Sequence, residues 1–164
     1  HLIPDNVKFI DLKEQSVTLA SLFVKVSDLY RDRDLREGDD DDIEIKLEHL
    51  EKLINSMIHT FPYALIEYKP ALGYIFESYL VNYTHWGYTD LDIAFGDVSR
   101  WVTLDELEEY DVVTYSFGDQ SRAYIRGQFT FHKNNNKINQ LWRPCDYLTK
   151  IHHRLKERVR LESA

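Results

Sequence analysis

The segment from Trp86 to Asp97 places the strongest constraint on how this chain folds. It begins with aromatic and small residues, continues with two aspartates one residue apart, and ends in a short apolar run closed by Gly96 and Asp97. This pattern predicts the end of a buried strand. Because residues i and i+2 of a strand point to the same face, we expect Asp90 and Asp92 to present two carboxylates side by side.

Two carboxylates this close repel each other unless a positive group joins them. A divalent cation that bridges to diphosphate oxygens is the usual solution, because Mg²⁺ and Mn²⁺ accept both carboxylate and phosphate oxygens as ligands. The alternative is a strand that ends in a turn with both acids in water, since Asp-x-Asp is common by chance. The spacing alone leaves both interpretations open.

Two further segments accompany this one. The sequence Lys-Pro-Ala-Leu-Gly-Tyr-Ile-Phe runs from Lys69 to Phe76, and Arg-Gly-Gln-Phe-Thr-Phe-His-Lys-Asn-Asn runs from Arg126 to Asn135. With the central segment between them, they resemble a family of predicted polysaccharide-type glycosyltransferases with the GT-A fold. The resemblance covers residues 6–139, and its specificity comes from three segments that match in order.

The resemblance implies a Rossmann-like GT-A glycosyltransferase domain, and the alternation of predicted strands and helices also indicates an α/β domain. It implies a nucleotide-sugar donor, a glycan or lipid-linked acceptor, and a Mn²⁺ or Mg²⁺ ion. Asp92 would bind the metal directly, Asp90 would contact the ribose or the metal's water shell, and Asp97 would help to position the sugar. The catalytic base and the stereochemistry of transfer stay open.

Three other residues are candidates for substrate contacts. Lys69 precedes Pro70, which is favoured at the first position of a helix, and helix N-termini favour anions. Lys69 is therefore either a contact to a phosphate or sugar hydroxyl, or a surface lysine. Gly127 lies in a predicted strand, where glycine permits the close approach of a ligand or backbone. His132 is either a metal or acceptor contact or a structural histidine, in a segment that the resemblance places on the acceptor side.

The chain is predicted to form one domain over residues 1–164, with one acidic and one basic segment. Residues 30–42 form an acidic insertion, which is either a cation-binding loop or a solvated excursion; it lacks the alternating ligands of a calcium loop. Residues 148–164 form a basic C-terminal helix, which either touches acidic lipids or presents a solvated face.

The remaining predicted elements follow from periodicity and capping residues. They are a strand over 7–12, a helix over 16–29 capped by Ser16, an amphipathic helix over 43–58, an extended segment over 61–68, a helix from Pro70 to near residue 82, a short helix from Thr103 with Glu106 in a capping box, and strands over 111–116 and 123–132.

Charge and cysteine content narrow the possible partners. The net charge of −8 argues against nucleic-acid binding through a basic surface. Cys145 is the one cysteine, which excludes an intrachain disulfide and a cysteine zinc cluster. A bacterial cytoplasm and a secretory-pathway lumen both tolerate a single cysteine, so the compartment stays open.

The chain begins at His1, which suggests an excised piece that lacks the first strand–helix unit of a GT-A domain. Part of the donor pocket would then be missing. This favours the main alternative, a non-catalytic GT-A-like fragment that binds partners. A metal-dependent phosphoryl-transfer enzyme is a third possibility, although the chain has no Gly-rich phosphate loop.

Overall fold

The computed structural model describes residues 8–34, 41–90, 92–94, 96–115 and 128–155, without the side chains of residues 32–34. Its α-helices are α1 (Leu19–Val24), α2 (Asp28–Asp34), α3 (Asp41–Thr60), α4 (Leu72–Ile75), α5 (Leu104–Glu109), α6 (Asn136–Asn139) and α7 (Asp146–Thr149), and residues 151–155 are also helical. Its strands are β1 (His85–Thr89), β2 (Val112–Thr114) and β3 (Phe129–Lys133). Short 3-10 helices cover Lys13–Gln15, Pro62–Ala71, Glu77–Tyr79 and Val98–Arg100.

The long helix α3 lies at the centre of the apolar core. Its apolar residues recur every three or four positions, so they form one stripe along the helix. The stripe is buried and consists of Ile43, Leu47, Leu50, Ile54 and Met57. The same core includes residues of α1, the Pro62–Ala71 helix, α4 and the C-terminal segment, among them Phe23, Tyr68, Ile75, Trp142, Leu148 and Ile151. The predicted amphipathic helix over 43–58 is therefore confirmed.

The three described strands form an antiparallel sheet in the order β1–β3–β2. His132 of the central strand lies opposite Trp86 on one side and Val112 on the other. The chain is thus a mixed α/β protein, as expected from its sequence. Because these strands pair antiparallel, the rule that places sites at the carboxyl ends of parallel strands does not apply to them.

Gly73 brings helix α4 into direct contact with the sheet. A Cβ atom at this position would lie 2.2 Å from Cε2 of Trp86, which is closer than real Cβ contacts allow. Trp86 is buried against this glycine, and its Nε1 donates a hydrogen bond to Oδ1 of Asn139 at 2.8 Å. The sheet is therefore fixed to the helices by close packing and by a buried hydrogen bond.

Three local predictions are wrong. No strand forms over residues 8–12. Helix α1 is capped by Thr18, whose hydroxyl accepts the Ser21 N–H, whereas Ser16 has a left-handed φ of 56°. The segment over 61–68 is not extended, because Pro62 begins a 3-10 helix at a position where its missing N–H has no cost.

Other predictions are confirmed or lie partly outside the described residues. Thr103 and Glu106 form the predicted capping box of α5, and β2 lies within the predicted strand over 111–116. In the acidic insertion, the described parts belong to α2 and to the start of α3, and residues 35–40 lie outside the described ranges. None of the described helices has the length and apolar composition that crossing a bilayer requires.

Candidate functional site

Lys69 and Asp90 form an ion pair that joins the Pro62–Ala71 helix to the end of strand β1. The Lys69 ammonium is paired with Oδ1 of Asp90, and the side chains are 13% and 35% exposed, respectively. The ammonium also lies 5.5 Å from the centroid of the Tyr88 ring, within the range of a cation–π contact. The two predicted site residues therefore contact each other, a contact that the sequence did not predict.

Asp92 lies in the turn that follows, outside strand β1, which ends at Thr89. The expectation that Asp90 and Asp92 share one face of a strand is thus wrong, because the strand ends before either residue. Asp92 is exposed. Within the described residues, no hydrogen bond or ion pair reaches its carboxylate, so it is accessible to a cation or a substrate from solvent.

Asp97 is exposed and caps the 3-10 helix Val98–Arg100. Its Oδ1 accepts hydrogen bonds from the Ser99 backbone N–H at 3.2 Å and from the Ser99 hydroxyl at 2.6 Å. Its Oδ2 lies 3.2 Å from Nε of Arg100. This carboxylate is therefore oriented by its local turn, as a cap is, and it still has access to solvent.

A cavity of about 270 Å³ lies on the sheet, and none of these acids is among its lining residues. Its lining is mostly apolar and comes from the two paired strands β1 and β3 and from the start of the 3-10 helix after Asp97. The lining residues are Gly87, Tyr88, Thr89, Val98, Phe129, Thr130 and Phe131. Thr89 precedes Asp90 and Val98 follows Asp97, so the lining includes chain neighbours of both carboxylates but not the carboxylates themselves.

Gly87 leaves little room beside the central strand. A Cβ atom there would lie 2.7 Å from the Thr130 carbonyl oxygen and 3.1 Å from Cδ1 of Phe131. A larger residue would push β1 away from β3 or displace the Phe131 ring. The glycine thus preserves both the strand pairing and the shape of the cavity wall.

His132 is buried inside the sheet and is only 5% exposed. Its ring stacks on Trp86, with centroids 4.2 Å apart and an interplanar angle of 6°. Burial lowers the pKa of His132 to about 4, so the imidazole is neutral at pH 7. Its Nε2 is buried and has no hydrogen-bond partner in the described part of the chain. In this structure His132 supports Trp86 from within the sheet and does not open onto solvent.

Glu67, which lies two residues before Lys69, has a structural role. Its carboxylate pairs with the Arg154 guanidinium and accepts a hydrogen bond from the Tyr147 hydroxyl at 2.8 Å. Arg154 also donates to the Tyr68 hydroxyl at 3.1 Å, and its guanidinium carbon lies 3.5 Å from the Tyr147 ring centroid. Burial raises the pKa of Tyr68, which keeps its hydroxyl protonated. This cluster attaches the C-terminal segment to the helix that carries Lys69.

Asp90 and Asp92 are the carboxylates that were predicted to hold a metal. Among the residues that the structure describes, no three histidine, cysteine or carboxylate side chains are grouped as metal ligands. Asp90 and Asp92 supply hard oxygen ligands, and both are accessible. Mg²⁺ binds through one or two carboxylates together with water and substrate phosphates. Two carboxylates alone would therefore need phosphate and water oxygens to complete the ligand shell of such an ion.

Sequence reasoning identified the acids and Lys69 but missed the neighbouring wall of the cavity. Tyr88, Thr89 and Phe129 carry no chemical motif, so nothing in their residue types indicated a role. The alternation of buried and exposed residues along β1 and β3 is the signal that could have found Thr89 and Phe129, which lie at the less buried positions, whereas Tyr88 is buried. Gly127 lies outside the described residues.

Comparison with known proteins gives one match. The model of a family described as "Family of unknown function (DUF6625)" matches residues 41–159. This range includes Lys69, both aspartates of the Asp-x-Asp sequence, Asp97 and His132. No curated protein and no solved structure matches the chain.

Proposed function

Since the chain belongs to the Family of unknown function (DUF6625), its own side chains are the guide to its chemistry, and we propose that it is a metal-dependent glycosyltransferase. It would move a sugar from a nucleotide-sugar donor to a glycan or lipid-linked acceptor. The observation that carries this proposal is the ion pair of Lys69 with Asp90, followed two residues later by the exposed Asp92. The three sequence segments that resemble GT-A glycosyltransferases support it, and the assignment to a Rossmann-like GT-A domain is part of the same proposal.

In this proposal Asp92 and Asp90 hold Mn²⁺ or Mg²⁺. When bound, the metal supplies positive charge that stabilises the leaving diphosphate as its bond to the sugar breaks. Lys69 adds a second positive charge at the same place, and it is held there by Tyr88 as well as by Asp90. The chain thus concentrates cationic groups where negative charge develops.

The cavity lined by Gly87, Thr89 and Phe129 is close to the size of a small ligand. Typical ligand pockets have volumes of roughly 300–1,000 Å³, and this cavity of about 270 Å³ lies just below that range. We assign it to one sugar ring, whose apolar face would pack on the Phe129 side of the wall while its hydroxyls meet Asp97.

The proposal also includes a membrane contact. Residues 148–164, as a basic C-terminal helix, would contact acidic lipids and so bring a lipid-linked acceptor close.

Release of UDP or GDP from nucleotide-sugars in the presence of Mn²⁺ tests the proposal. We expect a Mn²⁺-dependent rate in the wild-type protein and a loss of at least about 100-fold in Asp92→Ala, since removal of one electrostatic stabiliser typically costs that much. Asp105→Ala is the matched control, because Asp105 is an exposed aspartate on α5. Equal background rates in the wild type and in Asp92→Ala would reject the enzyme and leave the non-catalytic binding module.

A further inference from the structure

The ion pair between Lys69 and Asp90 involves a carboxylate that the proposed metal would also use. The ammonium occupies Oδ1 of Asp90, one of the two carboxylates that the proposed metal would use. A cation and an ammonium that share one carboxylate oxygen compete, because each lowers the negative charge available to the other. Lys69 is therefore a counter-ion of Asp90 in the protein without ligand.

We propose that Lys69 acts as a built-in competitor that keeps free divalent cations off Asp90 and yields only to a metal that arrives with a diphosphate. This inference rests on the proposed function. The diphosphate makes the exchange favourable because it offers the displaced ammonium a new negative partner. Lys69 would then pass from the carboxylate to a phosphate oxygen while the metal takes its place on Asp90.

The surroundings of Lys69 suit this exchange. The side chain is mostly buried, at 13% exposure, so its ammonium cannot simply move into bulk water when a metal displaces it. The Tyr88 ring, 5.5 Å away, supplies a second weak contact that is independent of Asp90. Asp92 is exposed and accessible to incoming ligand. Asp92 would therefore be available to hold the metal at once, whereas Asp90 would be available only after Lys69 has left it.

The exchange predicts positive coupling between the metal and the diphosphate. By thermodynamic linkage, a diphosphate that attracts Lys69 away from Asp90 must raise metal affinity, and the metal must raise diphosphate affinity by the same factor. Removal of the ammonium should weaken this coupling and at the same time tighten the binding of the metal alone. If Lys69 only contacted phosphate, its removal would weaken the coupling but leave the affinity for the metal alone unchanged.

Mn²⁺ titration followed by electron paramagnetic resonance measures this directly, because bound Mn²⁺ loses the signal of the free ion. We expect Lys69→Met to bind Mn²⁺ alone about five- to tenfold more tightly than the wild type, on the scale of a partly exposed ion pair. The added effect of UDP or GDP on Mn²⁺ affinity should shrink by a similar factor. Lys69→Arg keeps the charge and should resemble the wild type.

Lys25→Met is the matched control, because Lys25 forms an ion pair of its own with Glu77 at 3.5 Å and is 21% exposed. It should leave Mn²⁺ binding unchanged. Thermal melting of all variants checks that they are folded. If Lys69→Met does not fold, Lys69→Gln, which also removes the charge but keeps a polar end group, takes its place with the same expected result.

The outcomes separate this inference from the proposed function. If Lys69→Met binds Mn²⁺ no more tightly than the wild type while Asp92→Ala loses Mn²⁺ binding in the presence of UDP or GDP, competition is overturned and the metal site stands. If neither the wild type nor any variant binds Mn²⁺, with or without nucleotide, both proposals are overturned.

Discussion

His132 shows how one buried residue makes the stability of the chain depend on pH. Burial lowers its pKa from 6.5 to about 4. Between these values the unfolded chain binds a proton that the folded chain does not, so the free energy of unfolding falls as the pH falls. A pKa difference of one corresponds to about 1.4 kcal/mol, so the full effect is on the order of 3 kcal/mol.

We expect His132→Phe to remove this part of the pH dependence. The phenyl ring keeps an aromatic partner for Trp86 and lacks the buried Nε2 that has no described hydrogen-bond partner. Urea denaturation at pH 4.5 and pH 7.5 gives the measurement, and the loss of stability on acidification should be smaller by about 2 kcal/mol in the variant. His59→Phe changes an exposed position and should lose as much stability on acidification as the wild type. If His132→Phe loses as much stability on acidification as the wild type, His132 takes up its proton as readily in the folded state as in the unfolded state.

Gly73→Ala tests the contact between α4 and Trp86. Alanine is the better helix former by about 1 kcal/mol, so a helix without a steric conflict would gain stability from this change. The added Cβ would lie 2.2 Å from Trp86 Cε2, and overpacking of this kind costs about 1–3 kcal/mol. We expect a net loss of stability in urea denaturation followed by tryptophan fluorescence. Gly96→Ala, where nothing lies within 4 Å of the new Cβ, should be close to neutral.

At the scale of the element, the predictions were confirmed where a few neighbouring residues determine the local structure. The apolar stripe of α3 and the capping box of α5 are properties of a few neighbouring residues, and both were found. The helix from Pro62 was missed because proline excludes the helical conformation before it but also favours the first position of a new helix. The choice between these effects depends on tertiary burial of Ala64 and Tyr68, which the sequence does not display.

The cluster of Glu67, Tyr147 and Arg154 should stabilise the attachment of the C-terminal segment. We expect Arg154→Met to lower the free energy of unfolding by about 1–2 kcal/mol, because it removes a cation–π contact and hydrogen bonds to partly buried groups. Lys150→Met is the control, because Lys150 pairs with Asp146 on an exposed surface and its replacement should cost much less stability. Chemical denaturation of both variants checks this, and equal losses would mean that the cluster adds no more than a surface ion pair.

At the scale of the whole molecule, the candidate site depends on contacts between distant segments. Spacing identified Asp90 and Asp92 as acids of interest, but Lys69 lies 21 residues before Asp90 and meets it only in the folded chain. The cavity likewise requires the register of β1 with β3. Residue types can therefore nominate a site, whereas its internal pairing and its cavity follow from the tertiary fold.

Asn139 joins the sheet to the helical core and so tests whether they unfold together. Its Oδ1 accepts from Trp86 Nε1 at 2.8 Å, its carbonyl accepts from Trp142 Nε1 at 2.9 Å, and its Nδ2 donates to Oδ1 of Asn134 at 2.9 Å. Asn139→Ala leaves the buried Trp86 N–H without this partner, which should cost about 1–3 kcal/mol.

If sheet and core are one cooperative unit, the variant should weaken amide-exchange protection in β3 and in the middle of α3 by the same factor, because the most protected amides of both exchange through global unfolding. Asn136→Ala, at an exposed position of the same helix α6, should change neither. Loss of protection confined to β1 and β3 would instead identify the sheet, and with it the proposed metal site, as a separately unfolding unit. Ligand binding at Asp90 would then stabilise the sheet and leave the exchange of α3 unchanged.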